Sequence, residues 1–307
     1  MAKGVKSSSQ GIKLNTSKQS VFTILLILVI IIWAFIHFYW DNPNRVFSRM
    51  LNNTLMTASY TKTITDYKSN QHSTQVISAE TGAVNVAYMT QMLTIPGYSK
   101  GLIQIESIGT PTTDFERYTI LKTPAKDSSG KLIDYSSALN RWGAISPGGT
   151  KATDGQLFNE VLLDVVPMAN VNPVIKKQLL TYIKVNKVYT FSGPVSSQIV
   201  NGKPQLVYNV TVNMHYLQNY IKQFAIAIGL NQYNSKIIDA SSLPKKQVRH
   251  YQFAIDSLTG QLSTIKYVGT NLSYKYSSYG AKLSINTPKK YIQLADLEKY
   301  IQQLSTK

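Results

Sequence analysis

The chain has four histidines, His37, His72, His215 and His250, and no cysteine. A zinc site would need such donors at close spacings, as in H-E-x-x-H or C-x-x-C. The histidines stand far apart with no paired acid, so no metal ligand and no cofactor is assigned. A hydrolase serine on a strained strand-to-helix turn would be signalled by G-x-S-x-G, which is absent. The 15 acidic residues form no local pair of the kind used on glycosidic bonds. Asp256, three residues before Thr259-Gly260, reads as a turn-capping carboxylate. With no cysteine there is also no disulfide, no thiolate nucleophile and no lipidated N-terminal cysteine. No catalytic residue is assigned, and the expected function is non-enzymatic.

The formal net charge is +17. Such an excess attracts anionic partners, including lipid headgroups and wall polymers. The lysines are dispersed, no basic run exceeds two residues, and no nucleic-acid-reading motif occurs, so nucleic acid is not an expected partner.

The elements that would position a binding site follow from the hydropathy pattern. Val21 to Trp40 carries only Thr23 and His37 as plainly polar side chains. At about 1.5 Å per residue this run reaches about 30 Å, which predicts a transmembrane helix over 21–40. Trp33, Tyr39 and Trp40 sit where amphipathic rings favour an interface. A cleaved signal peptide would have a shorter apolar core and a small-x-small site, whereas this run ends in Phe38-Tyr39-Trp40. Lys3, Lys6, Lys13 and Lys18 precede it without an acid, which predicts a single-pass protein of the cell membrane, N-terminus cytoplasmic and C-terminal domain extracytoplasmic. The division is then a basic tail (1–20), the span (21–40), a juxtamembrane helix (41–59) begun by the Asn42-Pro43 cap, and one domain over 60–307.

Within that domain Thr, Val, Ile and Tyr dominate to about Trp142, predicting strands at 60–67, 73–79, 84–94, 102–108 and 115–122. Residues 143–156 read as an exposed loop, most mobile at Gly148-Gly149. A helical insert of about 157–184 follows. Its first helix, Leu157–Val166, places Val161, Leu162 and Val165 on one face. Its second, capped by Asn172-Pro173, carries Ile175 and Leu179. Asn201-Gly202 predicts a tight hairpin turn. Asn213 caps a helix over about 213–229 with Leu217, Ile221, Phe224 and Ile228 on one stripe and Gly229 as its stop. Tyr251–Ile255, Ile265–Tyr267, Leu272–Tyr276 and Leu283–Ile285 alternate as strands, and Leu294–Leu304 forms a closing amphipathic helix. The class is α+β, with one large curved sheet of about ten antiparallel strands and helices on one face.

Three segments carry a resemblance. Val200-Asn201-Gly202-Lys203-Pro204 leads into Val207-Tyr208-Asn209-Val210 and a helix. Tyr251–Asp256 is followed by Thr259-Gly260. Tyr276-Ser277-Ser278-Tyr279-Gly280 precedes Leu283-Ser284-Ile285 and Pro288. Together they resemble the bacterial lipoprotein-carrier superfamily of LolA/LppX-like half-barrels. The resemblance implies a sheet wrapped around helices, an apolar cavity that accepts acyl chains, and helices on the concave face lining it. By that analogy the ligand-cavity residues are Val161, Leu162, Val165, Ile175, Leu179, Leu217, Ile221, Phe224 and Ile228. The same stripes would equally form plain core. The chain departs from the family in lacking a lipidated cysteine and in its predicted span, so a carrier role across a compartment does not transfer. The expected function is a membrane-anchored, extracytoplasmic, non-catalytic protein binding a lipid or other amphiphile. Its expected partners are membrane lipids, an acyl-chain ligand or other envelope proteins. The alternative is an envelope interaction module with a solid core that docks proteins or anionic polymers.

Overall fold

The computed structural model describes residues 18–34, 42–68, 71–145, 156–231, 237 and 239–305. The first elements among the described residues are helix α1 (Lys18–Ala34) and helix α2 (Pro43–Thr54). Five strands follow: β1 (Ser59–Lys68), β2 (Gln71–Glu80), β3 (Val86–Thr94), β4 (Leu102–Gly109) and β5 (Asp114–Lys122). Next come β6 (Gly143–Ala144), α3 (Gln156–Leu162), α4 (Pro173–Val185), β7 (Tyr189–Phe191), β8 (Ser196–Val200), β9 (Lys203–Asn213) and α5 (Met214–Ala227). The chain closes with β10 (Val248–Asp256), β11 (Leu262–Tyr267), β12 (Ser273–Ser277), β13 (Ile292–Gln293) and α6 (Leu294–Ser305).

The thirteen strands form one sheet in the order β13-β6-β5-β4-β3-β2-β1-β12-β11-β10-β9-β7, with β8 also on β9. All pairs are antiparallel except β13 with β6. The sheet is therefore mixed, where the sequence reading expects purely antiparallel pairing. The exception arises because the chain recrosses the sheet after β12 and enters β13 in the direction of β6.

The expectation of a membrane-spanning helix over 21–40 is overturned. The apolar run does form a helix, but α1 has 17 residues and reaches only about 25 Å at about 1.5 Å per residue. A span needs about 30 Å, or roughly 20 apolar residues. Among the described residues no helix is long and apolar enough to cross a membrane. The single-pass placement with a cytoplasmic N-terminus and an extracytoplasmic domain rested on that span and falls with it. Residues 35–40, which were to complete it, lie outside the described residues, as do Gly148 and Gly149.

Local chemistry places the other helices. The Asn42 side chain accepts from the Asn44 and Arg45 amides, with Pro43 in the first turn of α2. Asn172 caps α4 through the Ile175 amide (2.9 Å), and Asn213 caps α5 through that of Tyr216 (3.3 Å). Each satisfies an amide that has no partner within its helix. Asn201 and Gly202 both have positive φ, as a two-residue hairpin turn requires.

Alternation along the strands gives one face to the helices. Tyr60, Lys62 and Ile64 of β1 turn inward beside Tyr276 and Tyr274 of β12 and Ile77 and Ala79 of β2. Ile265, Phe253, Tyr208, Val210 and Val212 continue this surface across β11, β10 and β9, and α2 to α5 pack on it. Helix α2 is clamped at its far end: Arg49 donates to the Ser257 carbonyl, and Asn53 to that of Thr259 (2.9 Å). Arg49 lies against Gly260, where an added Cβ would come within 2.6 Å of the arginine side chain and φ is +68°. Both the close approach and the left-handed backbone demand glycine there. On the other face the extended segment 281–291 crosses β3 to β6, seating Ile285 among Tyr88, Ile108, Phe115 and Trp142.

Candidate functional site

At the centre of the helix-covered face sits an ion pair. The Lys62 ammonium is 3.1 Å from Asp164 Oδ2 and 2.6 Å from the Glu160 carbonyl, and both side chains are 1% exposed. Lys62 is the register partner of Tyr276, so the Tyr276 hydroxyl reaches Asp164 at 2.9 Å. The Tyr274 ring lies 5.1 Å from the Lys62 ammonium, in cation–π range. A buried charge needs such partners, because desolvation is otherwise prohibitive. The nearby Tyr60 hydroxyl is buried with no hydrogen-bond partner among the described residues.

From this centre a row of tyrosines leads to a small pocket. Tyr267 donates to Tyr274 across 3.1 Å, and the Tyr251 and Tyr267 rings meet edge-on at 4.9 Å. The pocket, of about 190 Å³, lies between α5 and the sheet. Its apolar lining is Leu163, Val165, Met214, Leu217 and Ile221, and its polar lining is Gln218, Arg249, Tyr251 and Tyr267. Arg249 is exposed, whereas Gln218 is buried. An arginine at the mouth and an apolar interior make an amphipathic recess.

Burial raises the tyrosines here. The Tyr274 hydroxyl is pushed up to about 12, by burial first and then by the Asp164 and Glu160 carboxylates. Tyr267 is raised further, by burial and then by Tyr274. An unfolded tyrosine ionises near pH 10. Above that pH the unfolded chain releases protons that the folded chain still holds, so unfolding is favoured as pH rises. The contribution is complete below about pH 10 and lost between about pH 10 and 12. Urea midpoints should therefore decline over that window, with tyrosinate absorbance of the cluster appearing together with unfolding. Full ionisation of all twenty tyrosines in a chain that keeps its near-ultraviolet dichroism would contradict this.

Of the cavity residues assigned by analogy, Val165, Leu217 and Ile221 line this pocket. Val161, Leu162, Leu179, Phe224 and Ile228 are buried in the packed core, and Ile175 packs half-buried against it. The expected helix Leu157–Val166 stops at Leu162. Pro167 disfavours helix at the residue before it, and residues 164–169 run buried instead, delivering Asp164 to Lys62. Lys62, Asp164 and Arg249 were not assigned from sequence. The available signal was Tyr60-x-Lys62-x-Ile64, whose period of two puts the lysine on the inward face.

Two of the described histidines serve locally: His215 Nδ1 meets the Leu243 carbonyl and His250 Nδ1 the Thr211 hydroxyl, each at 3.1 Å. Among the described residues no three His, Asp or Glu side chains could hold a metal ion. Asp256 accepts from the Leu258 and Thr259 amides at 3.0 and 2.9 Å, capping its turn.

Two grooves of about three times the volume of the pocket under α5 lie at the surface. One, of about 610 Å³, follows the free end of β5. The other, of about 580 Å³, lies between residues 283–286 and the outer face, where Arg117 pairs with Glu106 and covers the Trp142 ring at 4.5 Å. No protein-family model matches this chain, and no curated protein matches it.

Proposed function

We propose that the protein is a non-catalytic binding protein for a small amphiphile, held in the pocket beneath α5. The apolar part would lie among Leu163, Val165, Leu217 and Ile221, with the polar end at Arg249 and Gln218. The observation that carries this reading is the composition of the recess: an apolar interior of about 190 Å³ opening past one arginine. An apolar cavity of about 150 Å³ accepts benzene, so this one suits about six carbon atoms rather than a long acyl chain. Five buried methylenes would contribute about 4 kcal/mol before association costs. Charge-assisted hydrogen bonds to Arg249 would add about 1.5–3 kcal/mol, so affinity for a six-carbon acid should fall near the millimolar range or somewhat tighter.

Titration of the full chain with hexanoate and with hexanol, followed by calorimetry and amide chemical shifts, tests this. Hexanoate should bind, shifting amides of α5 and β10. Arg249→Met should weaken hexanoate at least about tenfold while changing hexanol little. Leu217→Trp, which fills the recess, should abolish both. Binding of neither compound, or binding indifferent to Leu217→Trp, would refute the reading.

A further inference from the structure

The edge of the sheet at β5 is covered over only part of its length. On its outer side β6 pairs with Phe115 and Glu116, and the Asn140 amide donates to the Tyr118 carbonyl at 2.8 Å. Beyond that point, among the described residues, no backbone group bonds the outer side of Ile120 to Lys122. Strand residues turn their N–H and C=O alternately toward one neighbour and the other. About half of the backbone groups in this stretch therefore face outward unpaired. Uncovered edges template the addition of another strand, and proteins ordinarily blunt them.

Here the edge forms one side of the 610 Å³ groove. The opposite wall is the hairpin closed by the Ile133 amide on the Ala125 carbonyl (3.1 Å) and the Lys126–Leu132 bridge. Leu132 and Ile133 face Ile120 across it, and Tyr98 stands at one end. Lys100 and Lys122 line the same groove, and neither has an acidic partner among the described residues. Its one acid, Asp134, is engaged with the Ser136 amide at 2.9 Å. The groove therefore combines an unpaired strand edge, apolar side chains and uncompensated positive charge. A small amphiphile would meet the last two, but in-line donors and acceptors at strand spacing are matched only by another peptide backbone.

We propose that this groove binds an extended acidic segment of a partner protein by strand addition along Ile120–Lys122. Apolar side chains of the segment pack against Leu132 and Ile133, and its carboxylates meet Lys100 and Lys122. The stretch spans about 10 Å and so pairs with about three partner residues at about 3.3 Å each, the flanking residues of the segment lying along the groove. The site is remote from the pocket under α5 and independent of the reading given for it.

The probe is the peptide acetyl-Val-Glu-Val-Glu-Val-amide, titrated into the full chain and followed by amide chemical shifts and hydrogen exchange. The outward-facing amides of Ile120–Lys122 exchange fast in the free protein and become protected on binding, while those turned toward β4 are protected throughout. Methylating alternate peptide nitrogens, which leaves charge and side chains intact, weakens binding at least about tenfold. Lys100→Glu with Lys122→Glu weakens the acidic peptide similarly and favours the counterpart with lysine in place of glutamate. Equal binding of the methylated peptide, shifts confined to other regions, or no binding at millimolar peptide would overturn the proposal. So would protection of the same amides on raising protein concentration alone, which would assign the edge to a second copy of the chain.

Discussion

Replacing Lys62 with methionine will lower the unfolding free energy by about 3–5 kcal/mol, because it leaves Asp164 charged and buried without its cation. Asp164 is 1% exposed and would keep only the Tyr276 hydroxyl as a partner. Asp164→Leu should cost a similar amount, with Lys62 then holding only the Glu160 carbonyl and the Tyr274 ring. Combining Lys62→Met with Asp164→Leu removes both charges, and desolvation no longer opposes folding. The double variant should therefore be markedly more stable than either single one, a non-additivity expected of directly paired groups. Urea denaturation of all four proteins forms the cycle. In thermal scans each single variant should fall by roughly 10 °C, at about 2–4 °C per kcal/mol for a chain of this size. Single substitutions that each cost under about 1 kcal/mol, or that simply add, would show the pair to be incidental.

That pair also marks the limit of what the sequence made legible. Strands β1 to β5 follow from their Thr, Val, Ile and Tyr content, β9 to β12 from alternation, and the caps at Asn42, Asn172 and Asn213 from side-chain chemistry, because all these signals are local. Lys62 sits in a Thr-Lys-Thr run that resembles a solvated face; its inward role depends on Asp164, 102 residues away. Leu283 and Ile285 alternate like a strand, yet their segment forms no ladder. Ile285 packs onto the outer face of the sheet instead of pairing with its edge. The stripes on α4 and α5 face inward and mostly fill the core. The void that remains falls beside residues 163 and 165, where the helix expected to continue had already ended.

Helix α2 offers a second large effect, which asks whether the element ahead of the sheet belongs to its cooperative unit. Val46 and Met50 are fully buried, and Phe47 is 5% exposed. The Phe47 ring lies 5.0 Å from Phe191, 5.4 Å from Tyr208 and 6.3 Å from Phe253, joining β7, β9 and β10. Those strands close the sheet at the end opposite β5, and the Tyr208 hydroxyl also holds the start of the helix through the Pro43 carbonyl at 2.8 Å. Truncation to alanine removes a ring from the meeting point of three strands, which cannot collapse to fill the space. Phe47→Ala should cost about 3–5 kcal/mol, and Phe47→Leu, which keeps most of the volume, under about 1.5 kcal/mol. Since the ring ties helix to sheet, amides of β9 and β10 should lose protection along with those of α2, by the same free energy. If α2 alone exchanged faster while urea unfolding of the sheet stayed unchanged, the helix would be an appendage, and its clamp at Ser257 and Thr259 would serve only to park it. The aromatic contacts argue otherwise: the same rings that bury α2 also pack β7 and β10 against β9, so neither layer keeps its packing when the other leaves.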